Sequence, residues 1–275
     1  MNRCMWKKHS FLIVPLLLTL ASPLQAEGEP PASQESVVPA SLDGNEISYD
    51  MNTGVAQASG NVSLTQGDFH ATGQSAHYDT RTQTGSLTGN VTVDRGTLHA
   101  TAASLTSNGA DSFVATGGVQ AQDGNLQLEA REVRMEGRGH YIATGSVQAQ
   151  RGTDSFQGAT ADYYETDGGH VLLAQGGTIT TQDGTFTANR MEGWLEANRF
   201  QGDGAAHIVS PTRNFEGGGE YALYDGKDVS GKPKCVLEGD AWAVEGNNTL
   251  KGRHLTVYLD DKPQANQAAT DNAEG

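Results

Sequence analysis

The sequence predicts an all-β protein with an elongated, two-walled architecture of about seven stacked repeats of roughly 28 residues. Three observations predict it: a glycine recurs at nearly constant spacing, apolar and polar residues alternate with a period of two, and helical periodicity is absent from the body of the chain. The recurring glycines are Gly60, Gly89, Gly117, Gly145, Gly176, Gly202 and Gly239, which are 29, 28, 28, 31, 26 and 37 residues apart. Such a period indicates supersecondary units stacked along one axis.

The first 26 residues are predicted to be a signal peptide rather than part of the fold. Arg3, Lys7 and Lys8 precede an apolar run over 11–20, and Ala26 ends an acceptable cleavage site. The apolar run is about half of the roughly 20 residues that a membrane helix needs, so a retained N-terminal anchor is the less favoured alternative. The sequence therefore predicts an exported protein.

Composition then limits the organisation and partners of the mature chain. Residues 27–39 are predicted to be a disordered linker and 261–275 a disordered polar tail, which leaves a repeat domain at 40–260. Loss of three basic residues with the signal takes the formal net charge from −15 to −18. Such a surface repels phosphate backbones, so nucleic acid is not a predicted partner. Electrostatic attachment to an anionic membrane is also disfavoured.

Each repeat contains two arms in which apolar and polar residues alternate. One arm follows the glycine, as in Gly60-Asn61-Val62-Ser63-Leu64, and the next begins with a large apolar residue such as Phe69. Within the second arm the alternation slips by one position, as between Gly73 and Ala76. A slip would turn the apolar side outward unless the chain bends there, so we predict a bulge or corner that recurs in every repeat. The two arms are predicted to form the two facing walls of a V- or U-shaped trough.

The apolar residues that face into this trough are the candidate functional residues. One wall is predicted to carry Val62, Leu64, Val91, Val93, Val119 and Val147, and the other Phe69, Leu98, Leu126, Leu128 and Phe156. A stripe of this kind is also what a simple packed core would show. On the pattern alone, a closed core and an apolar groove both remain open.

No catalytic, cofactor-binding or metal-binding pattern is found in the sequence. The mature histidines are spread singly, and His70 and His99 are predicted to face solvent. A nucleophile elbow, a zinc-protease motif and a phosphate-binding glycine loop are all absent. Cys235, the one cysteine left after signal removal, is predicted to be a small buried residue, with an intermolecular disulfide as the alternative. The sequence thus predicts a protein that is not an enzyme and uses no cofactor or metal.

The segment from Gly60 to Gly67, GNVSLTQG, followed by Phe69 and Ala71, resembles the repeat signature of the LptA/OstA family of lipopolysaccharide-transport proteins. The resemblance covers residues 40–260 and is strongest between 40 and 165. It implies a β-jellyroll, or β-taco, in the periplasm, whose apolar interior holds the acyl chains of lipopolysaccharide or a related lipid. It also implies partners: further copies of the chain end to end, and transport components of the inner and outer membranes.

The later repeats depart from this pattern, and two other functions stay open. Ile179 is out of phase with the alternation, and the stretch 205–236 is long and rich in glycine. One alternative is a secreted right-handed parallel β-helix, acting as a polysaccharide-processing enzyme or an adhesin. Another is a β-scaffold that oligomerises through open sheet edges without binding lipid. The slip and the two arms favour the open trough over a β-helix, which needs three sheets per turn.

Overall fold

The strands form one antiparallel meander that runs the length of the repeat domain. The computed structural model describes residues 40–108, 112–137, 139–166, 169–226 and 232–259. The predicted signal peptide, linker and tail lie outside the described residues. The strands are β1 (Ala40–Asp43), β2 (Glu46–Asp50), β3 (Val55–Gln66), β4 (Phe69–Asp79), β5 (Thr84–Arg95), β6 (Leu98–Asn108), β7 (Ser112–Asp123), β8 (Leu126–Glu136), β9 (His140–Arg151), β10 (Asp154–Tyr164), β11 (His170–Thr181), β12 (Gly184–Ala188), β13 (Arg190–Trp194), β14 (Arg199–Ser210), β15 (Phe215–Asp225), β16 (Lys234–Glu245) and β17 (Asn248–Tyr258). A 3-10 helix, Pro211–Arg213, follows β14.

Strand pairing is antiparallel throughout the described part of the chain. From β3 to β11 and from β14 to β17, neighbours along the chain are hydrogen-bonded neighbours in the sheet. β1 and β2 both pair with β3, and β12 and β13 both lie between β11 and β14, so each of these pairs forms the two halves of one bent strand. This topology confirms the predicted all-β, elongated fold and is incompatible with a parallel β-helix.

Each long strand bends near its middle, where the register of the ladder shifts. Alternate strands carry two consecutive residues with positive φ at the bend. These pairs are Gly60-Asn61, Gly89-Asn90, Gly117-Gly118, Gly145-Ser146, Gln175-Gly176, Gly204-Ala205 and Gly239-Asp240. Glycine adopts positive φ without steric cost, and Asn and Asp tolerate it better than most residues. Because the bend recurs at the same place along the sheet, it folds the sheet lengthwise into two facing walls, as the slip predicted.

The recurring glycine lies in the middle of its strand, whereas the sequence placed it at or near the start. In the sixth repeat the bend falls at Gly204 rather than at Gly202, which is buried within a wall. In the fifth repeat the left-handed pair begins one residue before the glycine, at Gln175. That shift brings Ile179 onto the inner face, where its exposed fraction is 2%. The apparent phase error at Ile179 is therefore a one-residue displacement of the bend.

Gly117 and Gly118 offer a matched pair of substitutions at one bend. Their φ angles are 86° and 83°, but a Cβ on Gly117 would lie 2.3 Å from Ala103 Cβ, whereas one on Gly118 would meet no heavy atom within 4 Å. We expect Gly118→Ala to cost about 1–2 kcal/mol through backbone strain. We expect Gly117→Ala to cost about 1–3 kcal/mol more because the neighbouring strand must move. Urea denaturation measures both, and equal losses would contradict this account.

Buried apolar side chains fill the space between the walls unevenly. An N-terminal cluster contains Ala58, Val62, Ala71, Leu87 and Val91. A middle cluster is again made of small residues: Ala115, Val119, Ala130, Val133, Ala143 and Val147. The C-terminal cluster is larger and includes three phenylalanines and two of the most buried long side chains: Phe186, Phe200, Phe215, Met191 and Leu237. The interior is therefore continuous but becomes bulkier toward the C-terminus.

Candidate functional site

The sequence-predicted groove residues face the space between the walls, but they lie on one wall rather than on two. Leu64 pairs with Ala71, two residues after Phe69, and Leu128 pairs with Ala149, which in turn pairs with Phe156. The residues Val62, Leu64, Val91, Val93, Val119 and Val147 therefore share a wall with Phe69, Leu98, Leu126, Leu128 and Phe156. The two-wall assignment was wrong because a tight turn joins the arms and returns the chain along the same wall. We call this the first wall.

The second wall consists of the strand halves on the other side of the bend, which sequence analysis did not assign to the site. Its buried or partly buried inner residues include Ala58, Tyr78, Leu87, Leu105, Phe113, Val133, Met135, Tyr141 and Tyr163. The signal for this wall was present in the sequence. Alternation also precedes each glycine, as at Ala56 and Ala58 before Gly60, and it follows each slip, as at Ala76 and Tyr78.

On the first wall, the inner row second from the bend is buried at Leu64 and Ala71 in β3 and β4, partly exposed in the next six strands and buried again beyond them. From β5 to β10 its members are all partly exposed: Val93, Ala100, Ala121, Leu128, Ala149 and Phe156. From β11 to β16 they are all buried: Ile179, Phe186, Ile208, Gly217 and Ala243. We call these stretches the open section and the closed section. At a strand spacing of about 4.8 Å, the open section extends for about 24 Å.

The row nearest the mouth of the groove follows this division only in part. Leu98 and Leu126, at the mouth of the open section, are partly exposed. At the mouth of the closed section, Ser210 and Phe215 are buried, whereas Thr181, Gly184 and Glu245 of the same row are not. The open section therefore presents partly exposed apolar residues in both rows, and exposed apolar surface marks binding sites.

An enclosed cavity of about 60 Å³ lies between the walls near the N-terminal end of the open section. Its lining is mostly apolar and includes Leu42, Leu64, Phe69, Ala71, Tyr78, Leu87 and Leu105. A cavity that holds benzene measures about 150 Å³. The cavity is therefore a small gap in the packing between the two walls. To bind an acyl chain, the walls must move further apart, or the chain must lie along the mouth of the groove.

Glycines let the two walls interlock in the closed section. A Cβ on Gly202 of the second wall would lie 3.0 Å from Phe186 Cζ of the first wall. A Cβ on Gly217 of the first wall would lie 2.8 Å from Leu237 Cδ1 of the second. Each large side chain thus occupies the space that a side chain on the opposite wall would fill. This interdigitation leaves the closed section with the dense packing of a protein interior.

The tyrosine hydroxyls beside the groove carry no charge at neutral pH. Burial raises the pKa values of the Tyr163 and Tyr224 hydroxyls, so both remain protonated. Burial also raises the pKa of Glu165, and a hydrogen bond with Tyr141 opposes that rise. An ion pair joins the Arg213 guanidinium to the Asp183 carboxylate at 3.2 Å, between adjacent turns at the edge of the closed section.

The Cys235 thiol is buried in the closed section, with an exposed fraction of 0%, as the sequence predicted. Burial raises its pKa to about 12. Because the thiolate is the reactive form, we expect the native protein not to react with a thiol reagent at mildly alkaline pH. The same protein in guanidinium should react fully. Equal reaction rates in the two conditions would show that the closed section opens readily.

Outside the groove, the remaining sequence predictions concern exposed residues. His70 and His99 are exposed as predicted, and His99 Nδ1 lies 2.6 Å from Asp94 Oδ1.

Within the described ranges, no group of three His, Cys, Asp or Glu side chains could hold a metal ion. The same ranges contain no helix long and apolar enough to cross a membrane.

Comparison with known proteins adds a remote structural likeness. No protein-family model and no curated protein matches this chain. A solved structure described as LptH, the LptA-homologous periplasmic component of the lipopolysaccharide transport device of Pseudomonas aeruginosa, is similar at 13% identity. The match covers 46% of this chain and 76% of that one, with a TM-score of 0.23. A likeness at that score carries no argument about function, so the family resemblance of the repeats stays a sequence-based prediction.

Proposed function

We propose that this protein is a periplasmic, non-enzymatic lipid carrier of the lipopolysaccharide-transport type. The acyl chains of lipopolysaccharide or a related lipid bind in the groove, against the first wall. The observation that carries the proposal is the unbroken row of partly exposed apolar residues over β5–β10, Val93 to Phe156. The resemblance of the repeats to the LptA/OstA family supports the same function.

Burial of hydrocarbon supplies the binding free energy in this proposal. Each methylene removed from water contributes about 0.8 kcal/mol, so even a partly covered acyl chain gains several kcal/mol. The strongly acidic chain offers little attraction to lipid phosphates. The headgroup therefore stays outside the groove, in water or beside a cation, while the acyl chains lie within it.

Within the described part of the chain, the strands at both ends of the meander are paired on one side only, and they provide surfaces for the proposed partners. Beside β3, strand β2 exposes Ile47 by 51% and Tyr49 by 50%. At the other end, β17 exposes Leu250 by 54% and Tyr258 by 58%. Exposed apolar edges of this kind accept further strands, so other copies of the chain and membrane-bound transport components are the partners that we propose for these two ends.

Photo-crosslinking with labelled lipopolysaccharide tests the proposal. A photoreactive residue replaces Leu64, Leu128 or Phe156 in turn, and adducts are expected from Leu128 and Phe156 above all, because these two are partly exposed. Gln127 and Gln157 are matched controls, since each is the exposed, outward-facing neighbour of an inner position.

The pattern of adducts separates the carrier from the scaffold alternative. Adducts from the inner positions but not from the glutamines support the carrier. Adducts from the glutamines alone would contradict it. Concentration-dependent assembly of the chain with no inner adducts would instead favour a β-scaffold that joins through its edges.

A further inference from the structure

We propose that the lipid path is blind: it ends at the boundary between β10 and β11, beyond which the side chains of Ile179 and Phe186 close the space between the walls. This inference rests on the proposed function, because it assigns a boundary to the same groove. The acyl chains then lie only in the open section, β5–β10. The closed section, β11–β16, is packed too tightly for lipid to enter.

The position of the boundary follows from a sharp change in exposure along one row of residues. Phe156 in β10 is partly exposed, and the next member of the row, Ile179 in β11, is 2% exposed. Phe186, the member after that, is 6% exposed although it is a large ring. Exposure does not return until Leu250 in β17, at the far edge of the sheet. This inner row thus has no exposed member along the whole closed section.

The sizes of the side chains explain why the path stops there. In the open section, alanine occupies half of the row, at Ala100, Ala121 and Ala149. In the closed section the corresponding row begins with Ile179, Phe186 and Ile208, whose side chains fill the space between the walls.

Phe186 is the residue whose ring most directly spans the two walls at this boundary. It lies on the first wall between Ile179 and Ile208. Its ring reaches the second wall at Gly202, where a Cβ would lie within 3.1 Å of two ring atoms. A side chain at position 202 would press on this ring and, at 2.6 Å, on Ala188 Cβ. An acyl chain that continued past Phe156 would have to displace this contact.

A blind path restricts how lipid is exchanged. Lipid enters and leaves through the mouth of the open section. A second copy that adds to β17 continues the sheet but does not extend the path. Transfer between stacked copies therefore requires contact at the mouth.

The six phenylalanines of the mature chain allow a test with little structural disturbance. All six lie on the inner faces of the walls: Phe69, Phe113 and Phe156 are partly exposed, and Phe186, Phe200 and Phe215 are buried. Replacing each in turn by a photoreactive phenylalanine analogue, with labelled lipopolysaccharide and separately with labelled palmitate, should give adducts at 69, 113 and 156. At least tenfold fewer are expected at 186, 200 and 215.

The outcomes separate this inference from the proposed function. Adducts at 186, 200 or 215 that equal those at 156 would overturn the blind path and leave the carrier function intact. No adducts at any of the six positions, in variants whose melting temperatures match the parent protein, would overturn both. Adducts with palmitate and none with lipopolysaccharide would support the boundary but show that the bound lipid is not lipopolysaccharide.

A second variant tests the assignment to Ile179 and Phe186. With the photoreactive analogue at position 200, the double substitution Ile179→Ala and Phe186→Ala should raise adduct formation at least tenfold, because the space next to Gly202 then becomes continuous with the open section. Ile179→Ala combined with Phe215→Ala is the matched control, since it removes the same side chains but leaves Phe186 in place, and it should leave position 200 unlabelled. Equal labelling in both variants, or none in either folded variant, would remove Phe186 from this role.

Discussion

Leu237→Ala is expected to destabilise the protein by about 2–5 kcal/mol. Leu237 is completely buried, and its Cδ1 occupies the space above Gly217 on the opposite wall. Truncation removes buried methyl groups and leaves a cavity. The hydrogen-bonded strands on both sides cannot move far enough to fill it. Urea unfolding followed by circular dichroism measures the change in the free energy of unfolding.

Leu250→Ala is the matched control for this substitution. Leu250 is 54% exposed on the edge strand β17, so its truncation should change the free energy of unfolding by less than about 0.5 kcal/mol. Because the lipid path ends before β11, Leu237→Ala should also keep its lipid adducts at Leu128 while folded. Similar losses of stability in the two variants would show that the closed section is not a packed core.

Leu128→Asp is expected to weaken lipid binding at least about tenfold, because a bound acyl chain would have to cover a carboxylate that has no partner. Leu128 is partly exposed in the middle of the open section. Its replacement should therefore cost only about 1–2 kcal/mol of folding free energy, well below the cost of a charge in the closed section. Titration with a fluorescent fatty acid measures the affinity.

Gln127→Asp introduces the same carboxylate one residue away, on the exposed outer face of the same strand. It should change the lipid affinity and the free energy of unfolding no more than an ordinary surface substitution does. If the two variants bind the probe equally well and as tightly as the parent protein, the groove is not the binding site. If both lose binding, general repulsion by the acidic surface, rather than the groove, governs affinity.

Much of the local structure could be predicted from the sequence. The glycine spacing predicted the number of repeats, and the slip near Gly73 predicted a bend in register. The inner position of residues such as Val62 and Cys235 followed from period-two alternation. These predictions hold because each depends on a few consecutive residues and on the steric limits of the backbone.

Other features were wrong or missed because they depend on pairing between distant residues. Alternation is the same on both sides of a bend, so it does not show where a strand begins. The glycine of each repeat was therefore placed at a strand start, and the halves carrying Val62 and Phe69 were assigned to opposite walls. The ladder between β3 and β4 decides otherwise, since Leu64 pairs with Ala71.

The sequence by itself determined that this chain is a repeated, bent β-structure with an apolar interior, since backbone sterics and side-chain alternation act within a few residues. Only the tertiary structure decided that the interior is open beside Leu128 and closed beside Phe186. In the closed section, the ring of Phe186 on one wall lies against Gly202 on the other. Residues on facing walls are brought together by the fold, so their combined volume has no signature in either segment alone.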